Sequence, residues 1–315
     1  MNGRALAASS LARVPGVAVM LALLLILFAA LAPGFLSGAN LSNVLAQSVV
    51  LLLLALPMTL LIMTEGLDLS MGAVLTFASI VLALAVIATG SLTLGLLAAL
   101  AVGGAFGLVN GALVAHLGIP PFVATLGTLG VAQGLALIVS DGQSVVGIPR
   151  HVQQVYFGAL LGVPWPIWIG AAAYCAFHLL LYRTRFGTYI FALGGNRDAL
   201  RLAGIDVERR LVAAYALGGG MAGLAALLMT ARMNAGHPTA AIGLEFDAIA
   251  AVALGGTSFE RGNGWLPGTL LGVLAVGVLR NGLNLMAIPS SAQVACIGLL
   301  VILALFLDSL RAQES

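Results

Sequence analysis

The chain has 315 residues, of which 61% are hydrophobic and 8% are charged, and its net charge is +2. Soluble domains average about 45–50% apolar and about 25% charged residues, so the composition excludes an ordinary soluble protein. All 13 basic residues are arginine, which excludes a standard P-loop in this chain because that motif needs a lysine at the nucleotide phosphates. Stretches such as 49–63 are apolar at nearly every position, so we predict membrane helices rather than a barrel of alternating strands.

Ten apolar segments approach the length of about 20 residues that a helix needs to cross a bilayer. In chain order they lie near residues 14–32, 43–64, 70–89, 92–115, 120–139, 164–182, 211–231, 246–259, 265–285 and 292–308. The first is long enough to span, so we interpret it as a membrane helix rather than a cleaved signal peptide. The eighth is short, and we expect it to be re-entrant or broken.

The arginines predict the orientation, because cytoplasmic loops are enriched in basic residues. With the N-terminus inside and ten crossings, ten arginines lie on the inner side, and at most three, Arg150, Arg232 and Arg280, lie on the outer side. Both termini are therefore predicted to be cytoplasmic. The long loop 140–163 should face outward, and the loop 183–210, with six arginines, should face the cytoplasm. Residues 1–315 read as a single membrane domain.

A weak internal repeat relates two segments of the chain. Residues 107–127 read GLVNGALVAHLGIPPFVATLG, and residues 277–298 read GVLRNGLNLMAIPSSAQVACIG. Both contain an Asn-Gly pair followed by an Ile-Pro pair. The predicted topology makes the two copies run in opposite directions, so we expect an inverted repeat of the kind found in transporters. Chance similarity between two glycine-rich apolar stretches is the alternative.

Five polar residues in or beside the apolar segments are candidates for a translocation path: Glu65, Asp68, Asn110, Asn281 and Asn284. The three amides could bond neighbouring helices together or could offer hydrogen bonds to a polar solute. The two acids lie near the cytoplasmic end of the second helix, where an ionised group costs less than at the centre of the bilayer. Asp68 could instead cap the next helix.

The predicted outward loop before the eighth helix contains Arg232 and His237. They could contact a soluble partner outside the membrane or could simply be solvated. Glu245 and Asp247 follow at the start of the eighth helix. First-turn acids complement the helix dipole, and the alternative is that they line the outer mouth of a path.

The inner loop 183–210 predicts a short helix. It reads TRFGTY at 184–189 and ALGGNRDALRLAGID at 192–206. Asn196 is a good N-cap, Asp198 falls in the first turn, and Gly204 suits the position after the helix. A helix that presents one face, here with Leu200 and Ala203, suits docking into a groove of a partner. The alternative is a basic loop that only fixes the topology.

Four segments resemble the permeases of ABC-type sugar importers, in the ribose, xylose and galactose branch. DALRLAG at 198–204 resembles the EAA-x-x-x-G signature of the loop that couples such permeases to their ATPase. EGLDLSMG at 65–72 resembles GIDLS-x-G, FDAIAAVALGGTS at 246–258 resembles DAIAAVVIGGTS, and 264–286 resembles the last element of the branch. The segments occur in order over nearly the whole chain, from about residue 40 to 308.

The resemblance has two departures. Asp198 stands where the signature has glutamate, which keeps the charge, and Glu65 stands where we expect glycine. By resemblance, the residues implied to couple to the ATPase are Arg185, Phe186, Gly187, Asn196, Asp198, Ala199, Leu200 and Gly204.

The resemblance implies an all-α integral protein of the bacterial inner membrane with about ten helices and inverted halves. It also implies two ABC ATPase subunits, a second permease subunit that is identical or paralogous, and a periplasmic sugar-binding protein. The chain is then a transport subunit for a pentose or hexose and not itself an enzyme; it holds no cofactor, and ATP and Mg²⁺ are bound by the ATPase.

Two other classes compete with this reading. An ion-gradient-driven secondary transporter of a small polar solute would also have inverted repeats, but should place carboxylates at the middle of the membrane. A membrane-embedded enzyme would need convergent His, Asp or Glu side chains within the helices. The sequence places its acids at predicted helix ends, which favours the importer.

Overall fold

The computed structural model describes residues 16–257, 264–299 and 302. The elements, in chain order, are α1 Gly16–Leu31, α2 Gly38–Met63, α3 Met71–Thr89, α4 Leu92–Ala115, α5 Pro121–Val139, α6 Arg150–Phe157, β1 Ala159–Leu160, β2 Val163–Pro164, α7 Trp165–Arg183, α8 Arg185–Gly195, α9 Arg197–Leu202, α10 Val207–Met233, α11 Leu244–Leu254, α12 Leu266–Leu285 and α13 Ser290–Leu299. β1 and β2 form an antiparallel hairpin.

Helices occupy all ten predicted apolar segments. Seven of them, α2, α3, α4, α5, α7, α10 and α12, are long and apolar enough to cross a bilayer. α1, α11 and the described part of α13 are shorter. The all-α membrane fold is therefore confirmed, whereas ten complete crossings stay a prediction. The ends of the predicted eighth and tenth segments fall outside the described residues.

α2 is the central helix of the bundle. Residues 48–63 are all buried, and α7, α10, α11 and α12 pack around them. This explains why residues 49–63 have no polar face, since every side of the helix meets another apolar helix.

α4 and α10 form the most extensive helix pair among the described elements. A Cβ added to Gly219 would collide with the carbonyl of Gly103, and a Cβ added to Gly103 would collide with the carbonyl of Gly219. Gly107 and Gly223 approach the partner backbone in the same way. Small residues spaced four apart let two membrane helices come into backbone contact, where dispersion replaces the hydrophobic effect that lipid cannot supply.

The chain re-enters the bundle between α10 and α11. Gly236 lies against Ile80 of α3, the amide of Ala241 donates to Thr76 Oγ1 at 3.3 Å, and the carboxylate of Glu245 contacts Gly72. From Ile80 to Gly72 the segment follows α3 for about 12 Å, at 1.5 Å per residue. α11 therefore begins inside the bundle, which explains why the eighth apolar segment is short.

Three elements lie in regions predicted to be loops. α6 and the hairpin occupy the predicted outer loop, and α8 occupies the inner loop. α6 buries Val152 and Tyr156, and α8 buries Ile190 and Leu193. These helices have 8 and 11 residues, too short to be recognised by a search for membrane spans.

The two copies of the weak repeat have similar local structure. In each, a long helix is followed within three residues by a residue of positive φ, which precedes an Ile-Pro pair and the next helix: Gly118 has φ +65° and Ala287 has φ +57°. The local similarity fits the predicted repeat, and the inversion of the two halves stays a prediction.

Candidate functional site

α9 has the caps that the sequence predicts. The amide of Ala199 donates to Asn196 Oδ1 at 2.9 Å, and Asp198 lies in the first turn. Gly204, with φ +76°, follows the C-cap residue Ala203. The helix has 6 residues, so it is slightly shorter than the predicted two turns.

α9 lies wholly within the described part of the chain, and none of its residues is buried. Leu200 packs partly against the core of the bundle, whereas the side chain of Leu202 is 90% exposed. Residues two apart on a helix point in nearly opposite directions, because each residue turns the helix by about 100°. Leu200 was expected on the face that docks, but it faces the bundle, and Leu202, which was not a candidate, is the exposed apolar side chain of α9.

Ion pairs connect α9 to the start of α10. Arg201 Nη2 lies 2.7 Å from Glu208 Oε1, and Arg201 Nη1 lies 3.5 Å from Asp198 Oδ1. The hydrogen bond with Glu208 raises the pKa of the Arg201 guanidinium, so the arginine stays charged. The pairs orient α9 relative to the helix that follows it.

The first turn of α8, directly after α7, contains three further predicted coupling residues. The amide of Gly187 donates to Thr184 Oγ1 at 3.4 Å, and a Cβ at this glycine would collide with the carbonyl of Leu181. Phe186 is half-buried and Arg185 is exposed. Gly187 and Phe186 therefore build the turn, while Arg185 is available to a partner.

A buried polar cluster joins three membrane helices beside the segment 64–70. It consists of Asp68, Ser70, Asn110 and Thr128. Ser70 donates to Asp68 Oδ1 through its amide at 2.9 Å and its hydroxyl at 2.6 Å. Asn110 Nδ2 donates to Ser70 Oγ at 2.8 Å, and Thr128 Oγ1 donates to Asn110 Oδ1 at 2.7 Å. Burial raises the pKa of the Asp68 carboxyl, and the hydrogen bonds from Ser70 and Asn110 oppose that rise.

The backbone of the same segment is held by α5 and by one further helix, α10. The carbonyl of Leu67 accepts hydrogen bonds from Tyr215 Oη of α10 at 3.2 Å and from Thr125 Oγ1 of α5 at 3.5 Å. Tyr215 is fully buried. Buried polar groups need such partners, so residues 64–70 are fixed by contacts with several helices at once.

Glu65 lies beside α9 and apart from the buried cluster. Its φ is +58°, a conformation that glycine adopts without cost, which explains why the resemblance expects glycine at this position. Its carboxylate lies 3.9 Å from the guanidinium of Arg197. Of the five predicted path residues, only Asp68 and Asn110 lie together.

The other two predicted path residues bond helices near the C-terminal end of α12. Asn281 and Asn40 exchange two hydrogen bonds of 2.9 and 3.0 Å, and Asn284 Oδ1 accepts from Gln293 Nε2 at 2.8 Å. In this structure the amides bond neighbouring helices, the first of the two roles considered for them. The sequence could not predict that the candidate path residues lie at separate places in the bundle, because it gives no distances between helices.

Arg232 and His237 lie near the predicted outer loop and both have local partners. Arg232, in the last turn of α10, lies over the ring of Tyr156 at 6.0 Å. His237 Nδ1 is hydrogen-bonded to Ser144 Oγ. Their predicted contact with a binding protein stays a prediction.

Glu245 and Asp247 are buried, in surroundings that the sequence did not predict. Asp247 forms an ion pair with Arg280 of α12, and Glu245 Oε1 accepts from the amide of Gly243 at 3.1 Å. They are first-turn residues of α11, as expected. The solitary arginine in an apolar helix was the available sign that an acid must lie opposite it.

Comparison with known proteins places the chain in a family. The family model described as "Branched-chain amino acid transport system / permease component" matches residues 40–305. The ribose import permease protein of Escherichia coli strain K12 is 39% identical over 295 residues, which cover 92% of each chain. The D-allose transport system permease protein of the same strain is 34% identical, with 94% of this chain and 91% of the relative covered.

A third relative comes from another organism. The L-arabinose ABC transporter permease protein of Azospirillum brasilense is 33% identical, with 92% of this chain and 86% of the relative covered. No solved structure matches the chain significantly. The match to the family model and these identities over nearly the full length show that the chain belongs to the family of ABC importer permease components that includes the ribose, D-allose and L-arabinose permeases.

Proposed function

We propose that the chain forms the membrane path of an ATP-driven importer for a pentose or hexose, and that α9 docks onto a separate ABC ATPase subunit. The observation that carries the docking role is the exposure of α9, which ends in the 90% exposed side chain of Leu202. An isolated apolar side chain on a capped and ion-paired helix suits insertion into a groove of a partner. The sugar class is supported by the names of the relatives.

The proposed mechanism is alternating access. Closure of two ATPase subunits around ATP and Mg²⁺ moves α9, and the membrane helices then open outward to receive the sugar from a periplasmic binding protein. The path holds the sugar weakly, because selection happens on the binding protein and release into the cell must be fast. A second permease subunit, identical or paralogous, completes the path.

The proposed orientation places both termini and α9 in the cytoplasm. It is supported by the arginines, most of which lie in segments predicted to face inward. Arg232 and His237 would then face the periplasm, on the side where a sugar-binding protein arrives.

An ion-gradient-driven transporter is the alternative. Glu245 and Asp247 do lie inside the bundle, where such a transporter needs carboxylates. Asp247, however, is neutralised by Arg280, and the relatives are components of ABC importers. The family favours ATP as the energy source.

Substitution of Leu202 tests the docking role. We expect Leu202→Glu to abolish co-purification of the ATPase subunits with the permease from detergent-solubilised membranes, because a charge cannot enter an apolar groove without a partner. Leu161→Glu is the matched control, since Leu161 is 87% exposed in the β1–β2 hairpin on the predicted outer side. Asp198→Lys and Gly204→Trp should have the same effect as Leu202→Glu. Full retention of the ATPase by all three variants of the inner loop would overturn the docking role.

A further inference from the structure

Arg197 joins α9 to the end of the central helix α2. It is the first residue of α9, and its guanidinium donates a hydrogen bond to the carbonyl of Thr64, which follows the last residue of α2. Within the described residues this is the only side-chain hydrogen bond from α9 to an element that is distant in the sequence. The contact therefore connects the exposed helix to the membrane bundle.

The chemistry of the contact is favourable. The last carbonyls of a helix have no partner within the helix and carry its negative partial charge, so a guanidinium is well placed there. Thr64 is fully buried, and its own hydroxyl donates to the carbonyl of Leu61 at 2.8 Å. Among the described residues no backbone amide outside the helices donates to the carbonyl of Thr64, which accepts from Arg197. Glu65, at 3.9 Å, adds a weaker electrostatic contact to the same guanidinium.

The guanidinium of Arg197 has more hydrogen-bond donors than it uses in this structure. Its Nε is buried and has no hydrogen-bond partner among the described residues, and the side chain is 34% exposed. A guanidinium has five N–H donors in a planar fork. The arginine can therefore stay attached through one nitrogen while α9 shifts or rotates.

The carbonyl that Arg197 holds belongs to the segment 64–70, which contacts the rest of the bundle. The polar cluster attaches this segment to α4 and α5 through Asn110 and Thr128. The carbonyl of Leu67 attaches it to α10 through Tyr215. A displacement of Thr64 therefore acts on α2, α3, α4, α5 and α10 together, because buried hydrogen bonds are costly to break without a replacement partner.

We propose that Arg197 transmits the movement of α9 to the membrane helices by holding the carbonyl of Thr64. The inference rests on the proposed function, since α9 is the element on which the ATPase would act. Arg197 is a positioning residue in this scheme: it touches neither the sugar nor ATP. Leu202 binds the ATPase, and Arg197 converts that binding into movement of the bundle.

The ratio of transport to ATP hydrolysis tests the proposal. The complete complex is reconstituted in liposomes with its binding protein, and uptake is measured for whichever of D-ribose, D-allose and L-arabinose the wild type imports. We expect Arg197→Ala to keep the ATPase subunits and their hydrolysis, while sugar imported per ATP falls about tenfold, as for loss of a coupling free energy of ordinary size. Arg197→Lys, which keeps a charged donor, should restore most of the ratio.

Arg209→Ala is the matched control. Arg209 belongs to the same inner region, is 84% exposed and pairs with Asp206 at 2.8 Å, so its loss should leave the ratio unchanged. The proposal is overturned if Arg197→Ala lowers uptake and hydrolysis by the same factor, leaves both unchanged, or releases the ATPase subunits. These outcomes are separate from the docking test, because full retention of the ATPase by Leu202→Glu, Asp198→Lys and Gly204→Trp overturns the docking role whatever the Arg197 variants do.

Discussion

At the scale of single residues, Glu65 combines an unfavourable backbone with a modest ion pair. A non-glycine residue in the left-handed region costs about 1–2 kcal/mol. The pair with Arg197, at 3.9 Å and with the two side chains 34% and 54% exposed, contributes about 0–1 kcal/mol. The backbone strain is therefore the larger effect, and the site retains a glutamate at a net cost in stability.

Substitution of Glu65 tests this comparison. Glu65→Gly should raise the thermal unfolding temperature of the detergent-solubilised protein by relieving strain of about 1 kcal/mol. Glu65→Ile should lower it, because a β-branched residue tolerates a positive φ least. Both variants remove the charge, so the lost ion pair does not contribute to the difference between them. Equal unfolding temperatures for the two would contradict the positive φ at this position.

At the scale of helices, small residues decide which pairs come into backbone contact. α4 and α10 meet through Gly103 and Gly219, and α11 meets α12 through Gly255 and Gly268 in the same manner. Many other glycines have open space around them, among them Gly220, next to Gly219. The sequence shows the abundance of glycine, but it cannot show which glycines face a neighbour, because that depends on the rotation of each helix.

The neighbouring glycines of α10 offer a matched pair of substitutions. Gly219→Ala should destabilise the protein by about 1–3 kcal/mol, since the added methyl group forces the two backbones apart. Gly220→Ala should be neutral or should stabilise by up to about 1 kcal/mol, because nothing lies within 4 Å of the added carbon and alanine favours the helix. Thermal unfolding in detergent measures both. If Gly220→Ala lowered the unfolding temperature more than Gly219→Ala, the face of α10 that carries Gly219 would not be the face in contact with α4.

At the scale of the whole molecule, composition was sufficient to predict the class and most of the helices. An apolar run of about 20 residues has few alternatives to a membrane helix, and the caps of α9 depend only on residues within it. The re-entry before α11, the pairing of Asp247 with Arg280 and the exposure of Leu202 depend on contacts between segments that are distant in sequence. These features, like the hydrogen bond from Arg197 to the carbonyl of Thr64, could not be predicted from periodicity.

The orientation of the bundle decides whether α9 can meet an ATPase at all. The arginine distribution predicts that α9 and the β1–β2 hairpin lie on opposite sides of the membrane. Single cysteines at Leu202 and Leu161, 90% and 87% exposed, report this directly once Cys175 and Cys296 are replaced by serine. A membrane-impermeant maleimide added to intact spheroplasts should label Leu161→Cys only, and added to inverted membrane vesicles should label Leu202→Cys only. Labelling of Leu202→Cys in intact spheroplasts, but not in inverted vesicles, would place α9 on the outer side of the membrane, and α9 could not then be the docking helix.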